Sequence, residues 1–163
     1  MRKPISQPPL WKTLKEERAG ADDILRTLGI AFPPVDVQAV AQRLGITLGW
    51  SDHHSGELRV EGDDALILIR KGEALVRQRF TVAHELGHLM LHSVDRAYRH
   101  NDSTFAGNTM EIQANQFAAD LLMPLWMMDP AAQAFGADLK KLAQLFKVSE
   151  QAAKLRFQVW AGL

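Results

Sequence analysis

A helix that carries two histidines one turn apart is the feature that most constrains the fold of this chain. The segment His84-Glu85-Leu86-Gly87-His88 has the pattern H-E-x-x-H. Residues four apart lie on the same face of a helix, so His84 and His88 direct two imidazoles at a common point. Glu85 lies about 100° further around the helix, beside that point. The spacing therefore predicts a helix that binds a metal ion through two imidazoles, with a carboxylate next to it.

This arrangement is typical of zinc hydrolases. The two histidines bind the ion, and the glutamate acts as the general base on a water molecule at the metal. The alternative is an ordinary core or surface helix with two unrelated histidines, because so short a pattern also arises by chance. The hydrolase interpretation requires that the rest of the chain supply a third ligand.

The composition is that of one ordinary globular domain. The chain has 163 residues, of which 47% are apolar, enough to bury a core. Its 19 basic and 19 acidic residues cancel, which argues against a dedicated nucleic-acid binder. There is no cysteine, so any metal site uses nitrogen and oxygen ligands. Neither a signal peptide nor a membrane-spanning run is recognisable, and we expect a cytoplasmic protein without a membrane partner.

Sequence patterning divides the chain into three parts. Residues 1–12 are rich in proline and polar groups and are predicted to form a flexible leader. Residues 13–124 form the predicted metal-binding domain. Residues 125–163 form a predicted helical extension packed on it. Within this extension residues 138–157 resemble a helix-turn-helix pattern, in which Ser149 is predicted to cap the second helix. A DNA-binding function would need a basic recognition helix, whereas Glu150 offsets Lys154 and Arg156, so packing on the other helices is favoured.

The local patterns predict an α+β fold that is mostly helical. Helices are expected over residues 13–28, 36–45, 74–91 and 110–123, with Asp36 capping the second and Gly45 ending it. Residues 46–50, 56–61 and 65–69 predict three strands, and the short turns between them favour a largely antiparallel sheet packed on the metal-binding helix. The third strand is placed at a sheet edge beside the cleft, where an extended substrate would add as another strand.

Two candidates for the third ligand are eliminated or disfavoured by spacing. In the pattern H-E-x-x-H-x-x-G-x-x-H, Leu91 takes the place of the glycine and Val94 that of the third histidine, which excludes that class. His92 continues the histidine stripe, but an uninterrupted helix places it about 12 Å along the axis from His84. We therefore expect His92 to contact a neighbouring group instead of the ion.

Glu111 is the better candidate, although spacing alone leaves it open. On a helix it shares a face with Ala114, Asn115 and Ala118, and the alanines would let the two helices approach closely. Asn115 would then donate a hydrogen bond to a ligand. Glu111 is equally suited to stabilising the first turn of a helix through the helix dipole. The competing ligands are His100, Asp95 and Asp102.

Beyond spacing, the chain resembles the ImmA/IrrE family of metallopeptidases. Residues 78–92 are similar to the family's metal-binding helix almost throughout, and residues 111–124 are similar to its second block. Residues 142–149 fit the helical segment that follows. The resemblance implies a zincin-like, gluzincin-type catalytic domain over residues 13–124. It also implies that His84, His88 and Glu111 bind Zn²⁺ and that Glu85 is the catalytic base.

The resemblance further implies a substrate. Members of the family cleave helix-turn-helix (XRE-type) transcriptional repressors, often encoded by a neighbouring gene, and so derepress phage, mobile-element, stress or toxin–antitoxin operons. We therefore expect a zinc-dependent endopeptidase, although the same ligands also suit Mn²⁺ or another divalent ion. From their place between the two predicted metal helices, Tyr98 and His100 are candidate oxyanion donors, although the favoured interpretation of each is an ordinary surface loop residue. The competing hypothesis is a non-proteolytic regulator or toxin–antitoxin component that binds a protein or DNA partner around a structural metal.

Overall fold

Eight helices and one small sheet make up the part of the chain that the structure describes. This computed structural model covers residues 7–53, 55–94 and 105–163, with side chains described for all but 105–107. None of these helices has the length and apolar content that crossing a membrane requires. The predicted α+β, mostly helical fold class is confirmed. The elements are α1 (Leu10–Glu16), α2 (Ala21–Thr27), α3 (Val37–Arg43), β1 (Thr47–Ser51), β2 (Glu57–Glu61), β3 (Asp64–Arg70), α4 (Leu75–Leu91), α5 (Phe105–Leu122), α6 (Leu125–Phe135), α7 (Leu139–Phe146) and α8 (Glu150–Ala161).

The first predicted helix is two helices in the structure. Arg18 has a left-handed backbone (φ 57°), which ends α1 before α2 begins. Residues 10–12, assigned to the leader from their composition, belong to α1, because Trp11 is buried in the core with 3% of its surface exposed. The division into leader, catalytic domain and C-terminal extension otherwise stays a prediction.

The predicted cap of α3 is confirmed. Asp36 accepts a hydrogen bond from the Ala39 N–H at the start of this helix.

The sheet has the strand order β1-β3-β2. Strands β2 and β3 pair antiparallel, as expected, whereas β1 and β3 pair parallel. The connection from β1 to β2 is therefore not a hairpin, since β3 lies between them. The predicted position of the 65–69 strand at a sheet edge is wrong, because β3 is paired on both sides and offers no free edge for a substrate. It takes the centre because Ala65, Ile67 and Ile69 are buried against the helices.

The two longest helices, α4 and α5, pack against each other at a glycine. A Cβ atom placed on Gly87 would lie 3.1 Å from the Ala114 Cα and O atoms and from the Phe117 Cβ. Glycine costs about 1 kcal/mol relative to alanine inside a helix. In return, its missing side chain allows the backbones of α4 and α5 to approach closely.

Helices α7 and α8 are joined by a tight turn and are anchored to the rest of the molecule by two arginines. Lys147 is left-handed (φ 52°), and Ser149 caps α8, as predicted, by accepting from the Ala152 N–H. Arg79 of α4 donates to the Phe146 and Lys147 carbonyls at the end of α7. Arg156 donates to the Met123 carbonyl at 2.6 Å and pairs with Asp120. Arg156 is one of the two basic residues of the predicted recognition helix. Only 5% of its surface is exposed, so it packs against the region of Asp120 and Met123.

We expect the substitution Gly87→Val to lower the free energy of unfolding by about 1–3 kcal/mol, because overpacking forces neighbouring atoms apart. Urea denaturation followed by circular dichroism measures the change. Lys154→Val places the same side chain at an exposed position of α8 and is the control, with an expected effect below about 1 kcal/mol. Equal losses in the two variants would contradict a specific role for the α4–α5 contact.

Candidate active site

Helices α4 and α5 bring three of the predicted site residues together. The Nε2 atoms of His84 and His88 are 3.1 Å apart. Each is also 2.9 Å from a different carboxylate oxygen of Glu111. Among the described residues, His84, His88 and Glu111 are the group whose metal-binding atoms all lie within 4.8 Å of one another. Two imidazoles of one helix and one carboxylate of the next therefore converge on a single point.

This donor set fits a divalent metal ion. Catalytic zinc takes three protein ligands of nitrogen or oxygen and leaves a fourth position for water. With bond lengths of about 2.0–2.1 Å, tetrahedral ligand atoms are about 3.3 Å apart. The distances of 2.9–3.1 Å among the three donors are close to that value. Small adjustments of the side chains are enough to admit an ion.

The structure removes one alternative for Glu111. Helix α5 begins at Phe105, earlier than the predicted start at residue 110, so Glu111 lies more than one turn inside the helix. Its carboxylate is turned toward His84 and His88, with 28% of the side chain exposed, instead of stabilising the first turn. The other candidates, Asp95, Tyr98, His100 and Asp102, lie outside the described residues, and their roles stay predictions.

Both imidazoles have a partner at their other ring nitrogen. Asn115 lies one turn after Glu111 on α5, and its Oδ1 is 2.7 Å from the Nδ1 of His84. Asn115 was expected to donate, but its carbonyl oxygen accepts, so the Nδ1 of His84 carries the hydrogen. The Nε2 of His84 then carries the lone pair that faces Glu111. The Nδ1 of His88 lies 3.0 Å from the Nδ1 of His92. Such contacts orient the rings toward the candidate metal position.

The start of β2 lies directly against Glu85. This glutamate is 1% exposed, and a Cβ atom placed on Gly56 would lie 2.9 Å from its Oε1 and 2.7 Å from the Cγ2 of Thr81. The missing side chain of Gly56 thus provides the space in which the Glu85 carboxylate lies. The strand next to the site is accordingly β2, whereas the sequence pattern favoured the 65–69 strand.

Two features of the site were not predicted from the sequence. One is the proximity of Gly56 to Glu85, for which the only signal in the sequence is a glycine just before a strand. The other is the identity of the group that His92 contacts: a contact with a neighbour was expected, and that neighbour is the ring of His88. Its signal is the repeat of histidines every four residues. That spacing disfavours His92 as a ligand of the ion but allows its ring to reach the ring of His88.

Comparison with known proteins identifies the family. Residues 39–158 match the model of Peptidase_M78, described as the IrrE N-terminal-like domain. This match covers most of the chain, including both helices of the site. The chain belongs to the ImmA/IrrE family. The sequence-based resemblance is thereby confirmed.

Two relatives are matched over about half of their own length. The radiation response metalloprotease IrrE of Deinococcus deserti is 28% identical over 145 residues, which cover 86% of this chain and 52% of that protein. The uncharacterized immunity region protein 2 of Bacillus phage phi105 is 29% identical over 82 residues, covering 48% of this chain and 52% of that protein. The chain thus matches about half the length of each relative.

A solved structure shares the fold. A Mycobacterium tuberculosis transcriptional regulator superposes with a TM-score of 0.60, at 17% sequence identity, over 91% of this chain and 51% of the regulator. At this identity the likeness shows a common fold alone. The architecture built around α4 and α5 therefore recurs in a larger protein.

We expect the substitutions His88→Ala and Glu111→Ala each to weaken binding of Zn²⁺ by more than about 100-fold, because losing a ligand costs more than losing an outer contact. Competition with a chromophoric chelator measures the dissociation constant. Glu150→Ala, which removes an exposed carboxylate from the first turn of α8, is the control and should bind as the parent does. Unchanged binding by the Glu111 variant would disprove its assignment as a ligand.

Proposed function

We propose that the chain is a zinc-dependent endopeptidase that cleaves a helix-turn-helix (XRE-type) transcriptional repressor. The observation that carries this proposal is the convergence of His84, His88 and Glu111, with the Glu85 carboxylate buried on the same helix. Membership of a peptidase family supports it. The Deinococcus relative is named as a metalloprotease, which supports the same activity.

Each proposed residue has a distinct task in peptide hydrolysis. A divalent ion, when bound by His84, His88 and Glu111, supplies Lewis acidity to the reacting carbonyl and water. Glu85 accepts a proton from the attacking water and passes it to the nitrogen of the leaving amine. Its burial against β2 holds the carboxylate in place and shields it from bulk water. Tyr98 and His100 stay our proposals for stabilising the oxyanion.

The proposed substrate rests on the family and on the phage relative. That relative is named for an immunity region of a phage, and such a region is a setting in which removal of a repressor would change transcription. We therefore propose that a neighbouring gene encodes the substrate and that cleavage derepresses a phage, mobile-element, stress or toxin–antitoxin operon. Because a repressor acts on DNA, the proposed site of action is the cytoplasm.

The decisive experiment compares the parent with Glu85→Gln. Each protein is incubated with the purified repressor encoded by the adjacent gene, with added Zn²⁺ or with a chelator, and fragments are identified by mass spectrometry. We expect cleavage by the parent that the chelator stops, and a rate at least about 100-fold lower for the variant, since it lacks the general base.

The control for this experiment is Glu150→Gln, which makes the same change at an exposed position of α8 and should cleave at the parental rate. Zn²⁺ affinity is measured on every variant, so that loss of the base is separated from loss of the ion. Cleavage by both the parent and Glu85→Gln, or by neither, would refute the assigned role of Glu85. Stable binding of the repressor without cleavage would favour a non-proteolytic regulator.

We expect Gly56→Ala to lower the cleavage rate by about 100-fold, because a displacement of a catalytic group by about 1 Å has an effect of this size. The added methyl group would occupy the space that the Glu85 carboxylate now takes. Zn²⁺ affinity should stay within about threefold of the parent, since the three atoms nearest to the added methyl group belong to Thr81 and Glu85 and not to the proposed ligands.

Gly20→Ala is the matched control for this variant, because a Cβ there meets its nearest neighbouring atom, Asp23 Oδ2, at an ordinary 3.7 Å. A fragment-release assay on the same repressor measures both rates. Parental activity in Gly56→Ala would show that the contact between β2 and Glu85 does not position the base.

A further inference from the structure

His92 makes contacts at the end of α4 that the proposed reaction does not use. The backbone N–H of His92 donates to the His88 carbonyl at 3.0 Å. The Nζ of Lys15, on α1, donates to the His92 carbonyl at 2.6 Å. The ring turns back along the helix, so its Nδ1 lies 3.0 Å from the Nδ1 of His88. Its Nε2 lies 2.9 Å from the Oε1 of Gln113 on α5. His92 therefore links the ring of His88 to the neighbouring helix.

Gln113 determines which atoms donate and which accept in the series of hydrogen bonds from Gln113 through His92 to His88. The Oε1 of Gln113 is a carbonyl oxygen and accepts, so the Nε2 of His92 carries the hydrogen. In a neutral imidazole the other nitrogen is then the acceptor, and that Nδ1 faces His88. The Nδ1 of His88 must donate to it. As a result the Nε2 of His88 has its lone pair directed at Glu111 and the candidate metal position.

We propose that His92 and Gln113 are positioning residues that hold His88 in the tautomer whose Nε2 binds the metal ion. This inference rests on the metal site of the proposed function. The contact with His92 does for the Nδ1 of His88 what the hydrogen bond with Asn115 does for the Nδ1 of His84. Because His88 is 0% exposed, bulk water has no access to replace the acceptor that His92 provides.

Helix α5 thus orients both imidazoles. Glu111 provides the carboxylate, Asn115 holds His84 directly, and Gln113 holds His88 through the ring of His92. A merely structural His92, filling the space at the end of α4, would need its shape but not its acceptor nitrogen. The two roles are therefore separable by substitutions that keep either the ring or the acceptor.

The test compares His92→Phe, which keeps a ring without an acceptor, with His92→Gln, whose amide oxygen accepts from a residue one turn away. Zn²⁺ alone is the probe, and its dissociation constant is measured by competition with a chromophoric chelator. We expect His92→Phe to weaken binding about 10- to 100-fold and His92→Gln to bind within about threefold of the parent.

Gln113→Leu should weaken binding in the same direction, by a smaller factor. Gln116→Leu is its matched control, because Gln116 also lies on α5 but hydrogen-bonds Asp120. ¹⁵N NMR of the histidine rings in the zinc-loaded protein should show His88 bound through Nε2. Thermal unfolding of the metal-free His92→Phe protein should show one cooperative transition, so that its weaker Zn²⁺ binding reports the lost acceptor nitrogen and not an unfolded chain.

Three results overturn the inference while leaving the proposed function intact. They are parental Zn²⁺ affinity in His92→Phe, equal weakening in His92→Phe and His92→Gln, and ¹⁵N signals that show His88 bound through Nδ1. A parent that binds no Zn²⁺ would overturn the inference and the proposed function together. Because Zn²⁺ binding is measured without a peptide substrate, a failure to find the repressor does not affect this test.

Discussion

The close contact between α4 and α5 is the constraint on which the rest of the structure depends. Gly87 leaves no side chain between the helices, so the backbone of α5 at Ala114 lies against α4. The same contact sets Glu111 opposite His84 and His88. A wider separation would bury the same apolar residues less tightly and would move the carboxylate away from both imidazoles. The packing of the core and the geometry of the three donor residues therefore both depend on the separation of α4 and α5.

Features determined by neighbouring residues were predictable from the sequence. Helix α4 was expected over residues 74–91 and spans Leu75–Leu91, because its apolar period and its histidine spacing agree. The side chains of Asp36 and Ser149 each accept a hydrogen bond from the backbone N–H three residues further along, as short polar side chains at helix starts usually do. The alanine face of α5 also indicated a close helix contact.

Features that depend on contacts between residues far apart in sequence were not predictable from local patterns. Strand β3 lies between β1 and β2 because its alternate residues are the most buried, and this competition depends on the complete core. Short connecting turns favoured antiparallel pairs and gave no sign of the parallel pairing of β1 with β3. The proximity of Gly56 to Glu85 joins a strand to a helix. The choice of Glu111 as a ligand needed the resemblance to a family, since local spacing also suited a helix start.

One consequence of the α4–α5 arrangement concerns the lifetime of the protein. His84 and Glu111 are 27 residues apart in sequence and face each other only in the folded chain. An ion bound between them on the proposed site therefore stabilises the folded state alone, by about 2.7 kcal/mol when its free concentration is 100 times the dissociation constant. On this proposal, chains in metal-poor surroundings would lack this contribution and would unfold more often. The free concentration of the ion would then affect the stability of the fold as well as the reaction.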